Sequence, residues 1–203
     1  MLIEHQGHRP RVAPTAYVAP TAVVCGDVTL HDDVRVLFGA VITAEGGPVE
    51  VGASSIIMEQ AVVRGREGNP ASIGRHVLVG PHAHLNGATV EDAAFLATGT
   101  SVFPGARIGA GAEIRVNGVV QVNTLIPAGG LVPIGWVAVG DPAEVLPPDQ
   151  HERIWGIQRS LDFPGTVYGV ERGRPEEMMG TITRGYVELF GRHRDDRILD
   201  GNS

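Results

Sequence analysis

The chain has 203 residues, of which 43% are hydrophobic and only 5% aromatic, with 28 glycines; this composition points away from helical bundles and toward one repetitive β domain with an appendage. A formal net charge of −7 argues against nucleic acid or anionic membrane as partners, since both need a cationic surface. All 16 basic residues are Arg, which excludes a lysine Schiff base and a Walker A phosphate loop.

The N-terminal stretch MLIEHQGHRPRV contains no apolar run long enough for a signal peptide, and no segment approaches the roughly 20 apolar residues that span a bilayer. The single Cys25 has no internal disulfide partner and follows an inward valine, so it reads as an inert thiol. The expectation is a cytoplasmic chain with no membrane partner.

From Val12 onward an aliphatic residue recurs every six positions: Val12, Val18, Val24, Leu30, Val36 and Ile42, then Val51, Ile57 and Val63. After a second interruption the frame runs Ile73, Val79 and Leu85, makes one five-residue step, and continues Val90, Leu96, Val102, Ile108, Ile114 and Val120. Four residues after most of these stands a small side chain, among them Ala22, Ala40, Ser55, Ala61, Ala83, Thr100, Ala106 and Ala112. A strand would alternate with period two. Period six fits a three-faced coil of about 18 residues per turn, with the aliphatic filling a face and the small residue fitting a corner. The fold class is therefore all-β: a left-handed parallel β-helix of hexapeptide repeats, followed by α-helical segments. Gly39, Gly74, Gly80, Gly99, Gly105 and Gly111 are expected to supply backbone freedom near the corners. A three-faced prism closes naturally into a symmetric homotrimer.

After Leu125 the frame is expected to dissolve into a final turn and exit, placing the β-helix at residues 1–147 and a helical extension at 148–203. Asp149 is a candidate helix cap ahead of Ile154, Ile157 and Leu161, which share helical spacing. A second helix is predicted from Pro175, with Met178, Ile182, Tyr186, Leu189 and Phe190 on one side. The polar end RHRDDRILDGNS reads as frayed.

The segments PRVAPTAYVAPTAVVCGDVTL, VRVLFGAVI, VEVGASSIIMEQAVV, VLVGPHAHLNGATV and VGDPAEVL resemble the gamma-class carbonic anhydrases over residues 10–147, in order and in spacing. The resemblance implies a trimer with a site between subunits, where three histidines hold Zn²⁺ or a similar ion. The corresponding positions here are Arg64, Pro81 and Asn86. An Arg-Gly-Asp of the family corresponds to Thr43, Ala44 and Glu45, and a Gln-Asp pair to Met58 and Glu59. Arginine is a permanent cation without a lone pair, and proline has no side-chain donor. Zinc-bound hydroxide is what attacks CO2 in such enzymes, so no CO2 hydration by the family route, and no cofactor, is expected.

The repeat frame places Arg64 and Asn86 on one outward face, one coil apart. With Arg66 and Glu45 they are candidate ligand-binding residues for a small anionic or acyl ligand, because arginine forks suit carboxylate and phosphate. His82, His84 and Glu59 are candidate catalytic residues if the chain is instead a thioesterase or acyltransferase-like enzyme. The loops 43–50 and 64–72 carry no histidine of the kind that hexapeptide acyltransferases place on a protruding loop. His82 and His84 are also the alternative ligands for zinc or another divalent transition metal, in a hydratase or hydrolase with relocated donors. A non-catalytic trimer is the third reading.

Overall fold

The computed structural model describes residues 1–199. Short strands, two to five residues long, wind into a left-handed parallel β-helix bounded by one ten-stranded and two seven-stranded sheets. The six-residue frame explains the core. On the ten-stranded sheet Val24, Ile42, Val63, Leu85, Val102, Val120 and Ala138 are register partners in successive coils. All of them are fully buried. Such an in-line aliphatic stack removes nearly all its apolar surface from water, at roughly 25 cal/mol per Å².

The frame does not dissolve at Leu125. The strands Leu125–Ile126, Leu131–Val132 and Val137–Val139 add a further turn in parallel register, with Ile126, Val132 and Ala138 buried. Its prolines and glycines fall at corners, where they do not interrupt the ladder. The strand Glu144–Leu146 then pairs antiparallel with Val137–Val139 and closes that edge.

The corner glycines divide into two kinds. Gly39, Gly99, Gly105 and Gly111 adopt positive φ, as expected. Gly74 and Gly80 do not; a Cβ on Gly80 would stand 2.8 Å from the Leu96 carbonyl oxygen of the next coil. Close approach of backbone is what demands glycine there.

Three helices follow: α1 (His151–Gln158), α2 (Phe163–Tyr168) and α3 (Pro175–Gly191). Ile154 of α1 is buried against Val139 and Leu146, with Ile157 and Leu161 beside them. Asp149 does not cap α1: the N-cap is Gln150, and no side chain caps it. In α3 Pro175 occupies the first turn and Ile182 is buried, on the side bearing Met178, Tyr186 and Leu189 that the sequence foretells.

The C-terminal end is ordered where it was expected to fray. A 3-10 turn, Arg192–Asp195, leads into a strand, Arg197–Leu199, that pairs antiparallel with Leu2–Glu4. Buried Glu4 accepts from Arg9 (2.5 Å) and Arg197 (2.6 Å), latching this strand to the first coil. Both edges of the ten-stranded sheet are thus covered by antiparallel strands, which protects the ladder ends from pairing with other chains. The last residues of the polar tail, 200–203, lie outside the described residues. No helix is long and apolar enough to cross a membrane among the described residues.

Candidate functional site

On each coil of the ten-stranded sheet the residue after the inward aliphatic must point outward, because strand side chains alternate. Register makes Cys25, Thr43, Arg64 and Asn86 one outward row. The row is covered. Cys25, Thr43 and Asn86 are buried and Arg64 half-buried, because the C-terminal segment of the same chain lies over it. The Arg64 guanidinium stands 5.8 Å from the Phe190 ring centroid, and Arg66 donates to the Val167 carbonyl.

An aromatic ladder forms this cover. Phe103 meets Phe163 at 5.4 Å, Phe163 meets Tyr168 and Tyr168 meets Tyr186 at 6.1 Å, and Tyr186 stacks on Phe190 at 5.1 Å. Phe190 then stacks on His193 at 6.4 Å, and His193 on His5 at 4.3 Å. Few aromatics exist in the chain, and half of the Phe, Tyr and Trp residues form this ladder.

Four polar atoms on this side have no hydrogen-bond partner among the described residues, Thr43 Oγ1, Glu45 Oε2, Arg64 Nε and Asn86 Oδ1, as has Thr100 Oγ1 at an inward corner. Each carries a desolvation cost of about 1–3 kcal/mol if left unmatched. Ser55 shows the contrast at a corner: its hydroxyl donates to the Gly74 carbonyl (2.7 Å) and accepts from the Val77 amide (2.9 Å).

Of the residues selected from sequence, Arg64 and Asn86 are direct register partners, as are Glu45 and Arg66. Glu45 turns away from Arg66 and accepts from His193 Nε2 at 3.1 Å. His84 heads the strand His84–Asn86, half-buried; burial and then the Arg64 charge hold its imidazole below the usual histidine range, in the neutral form. His82 is exposed at a corner in the left-handed region, φ 57°. Glu59 meets it only through a backbone bond, its carbonyl accepting from the His82 amide at 3.0 Å. The structure therefore does not gather His82, His84 and Glu59 around a common point.

A second cluster lies two coils from Arg64. Asp196 accepts from His5 Nδ1 (2.6 Å) and His193 Nδ1 (2.7 Å), and the Cys25 thiol lies 3.8 Å from its Oδ2. One ligating atom from each of these four residues lies within 4.8 Å of every other. Burial first, then the Asp196 and Glu45 charges, pushes the Cys25 thiol up to about 12. Burial disfavours charged His193, but Asp196 and Glu45 outweigh it and hold the imidazole above its usual range. Sequence reasoning missed this cluster, having taken Cys25 as inert and the tail as frayed. The outward place of Cys25 and the His193-x-x-Asp196 spacing were the available signals.

Arg64, Pro81 and Asn86 do not fit a bound dication: a guanidinium, a proline and a single amide supply no pair of anionic or imidazole ligands.

No family model matches the chain. Gamma carbonic anhydrase 1, mitochondrial, of Arabidopsis thaliana is 33% identical over 102 residues, covering 47% of this chain and 37% of that protein. A carbonic anhydrase of Geobacillus kaustophilus is 27% identical over 109 residues, covering 54% of this chain and 60% of that one. The chain thus spans less than two thirds of the length of either relative. Among solved structures, a putative acetyltransferase from Bacillus cereus superposes with a TM-score of 0.55 at 20% identity, over 95% of this chain and 96% of that one; this likeness shows the fold.

Proposed function

We propose that this gamma carbonic anhydrase-like β-helix is a homotrimeric scaffold that does not hydrate CO2, and that its Arg64–Asn86 row holds a small oxyanion or carboxylate. The carrying observation is the pair of unmatched groups under the Phe190 cover, the Arg64 Nε donor and the Asn86 Oδ1 acceptor. An oxyanion that also bears a hydroxyl, of which hydrogen carbonate is the smallest, answers both: its anionic oxygen accepts from Arg64 and its hydroxyl donates to Asn86. Glu45 and Arg66 are held by His193 and by the Val167 carbonyl and are not needed for this contact.

Trimerisation is supported by an uncovered apolar row on another sheet, where Ile56, Leu78 and Phe95 are outward register partners and Phe95 is 38% exposed. Such a contiguous apolar stripe on a three-faced prism favours self-association.

The test combines three measurements on the purified chain. Light scattering after gel filtration should give a trimer. Calorimetric titration with hydrogen carbonate should give saturable binding that Arg64→Ala abolishes, and acetate, which has no hydroxyl for Asn86, should bind more weakly. Stopped-flow hydration of CO2 with zinc supplied should stay at the uncatalysed rate; hydration that His84→Ala removes would overturn the proposal.

A further inference from the structure

We infer that His5, Cys25, His193 and Asp196 form a four-ligand site for a divalent transition metal of the zinc class, which fastens the C-terminal segment to the first coils. The residues come from both ends of the chain. Cys25 and Asp196 lie 171 positions apart in sequence, and His5 and Asp196 lie 191 apart, yet their ligating atoms fall within 4.8 Å of one another.

The geometry is close to that of a tetrahedral site. Zinc bonds of ~2.0–2.3 Å set ligand atoms roughly 3.3–3.7 Å apart around the ion. The two His–Asp196 contacts, at 2.6 and 2.7 Å, would open by about half an ångström, while the Cys25–Asp196 contact at 3.8 Å needs almost no change. A thiolate, two imidazoles and one carboxylate suit Zn²⁺ or Co²⁺ and disfavour Mg²⁺ or Ca²⁺, which prefer all-oxygen sets.

The surroundings supply what such a site requires beyond its ligands. With His193 Nδ1 on the metal, Nε2–H already faces Glu45 Oε1 at 3.1 Å, the carboxylate partner that fixes a ligating imidazole. Gln6 places its amide nitrogen 2.9 Å from His5 Nε2; with that amide flipped, its oxygen would accept from Nε2–H once Nδ1 binds.

Charge points the same way. Glu45 is only 7% exposed, and its Oε2 has no partner among the described residues. Three arginines of this region are engaged elsewhere: Arg66 on the Val167 carbonyl, Arg9 and Arg197 on Glu4. Two carboxylates beside a buried thiol are compensated by a dication, and binding it releases the Cys25 proton and the His193 Nδ1 proton to solvent. All four positions are filled by protein, so the site is closed and structural, with no open position for a substrate. It is separate from the Arg64–Asn86 row, which begins two coils away, about 10 Å along the sheet.

The experiment titrates the full chain, stripped by chelator, with Co²⁺ and then Zn²⁺. The expected result is one Co²⁺ per chain, with near-ultraviolet thiolate-to-cobalt absorption and visible bands of a tetrahedral ion, displaced by one equivalent of Zn²⁺. Cys25→Ser should lose the near-ultraviolet band. Glu45→Gln keeps every ligand and the fold, checked by circular dichroism, and should weaken binding by about 10- to 100-fold. The double variant His82→Ala/His84→Ala should bind as the natural chain does. Absence of saturable uptake, uptake unchanged by Cys25→Ser and Glu45→Gln, or loss of uptake in the His82/His84 variant would each overturn the assignment.

Discussion

The guanidinium of Arg64 lies over the ring of Phe190, 5.8 Å from its centroid, so the outward face of the β-helix that bears Asn86 is roofed by the chain's own last helix. The contact joins a cation held in the middle of a parallel sheet to the final turn of α3. It makes the C-terminal segment part of the site.

Phe190 is the central rung of that roof, stacked between Tyr186 and His193. Phe190→Ala removes both stacks and the cation–π contact, together about 1–2 kcal/mol for a side chain that is partly exposed. Amide exchange should accelerate through residues 175–191 while the buried coil amides around Val63 keep their protection. Uniform acceleration across the chain would contradict a local cover.

Gly80 faces the next coil, and an added Cβ would sit 2.8 Å from both the Leu96 oxygen and the Ala97 carbonyl carbon. Gly80→Ala should therefore cost about 1–3 kcal/mol in denaturant unfolding, as over-packing does. Gly111→Ala meets open space, with only its positive φ to resist, and should cost less. Equal losses would mean that the close approach of the next coil costs Gly80→Ala no more than the positive φ costs Gly111→Ala, against coil spacing as the dominant constraint.

His84 is kept neutral by burial and then by the Arg64 charge, so its folded pKa lies below its unfolded one. The unfolded chain binds the extra proton first as pH falls. Stability from this group is present above about pH 6.5 and is lost as pH drops toward the folded value. The slope of stability against pH between about 7 and 5 should flatten in His84→Gln, measured by denaturant midpoint at each pH. An unchanged slope would remove His84 from the account.

Glu4 receives Arg9 and Arg197 on its two carboxylate oxygens. Glu4→Gln should loosen the Arg197–Leu199 strand and raise its amide exchange severalfold, because charge-assisted bonds become neutral ones. Arg9→Ala leaves the cross-strand pair intact and should have the smaller effect.

The pattern of apolar residues alone determined the solenoid. Val24, Ile42, Val63 and Leu85 keep a six-residue phase because each must fill the same cross-section of the coil, and that phase forces Cys25, Thr43, Arg64 and Asn86 outward whatever else the chain does. The inward side of α3 was legible for the same reason, since Met178, Ile182 and Tyr186 recur at helical spacing. The turn beyond Leu125 was not, because its prolines and glycines look like termination until they are seen at corners. What only the tertiary structure decided is which outward residues meet which distant ones. Local sterics set the direction of a side chain, but the return of Arg197 to Glu4, and with it the meeting of His193 and Asp196 with His5 and Cys25, depends on where the helices turn and on the strand edge left open at Leu2–Glu4. A six-residue period carries no information about that closure.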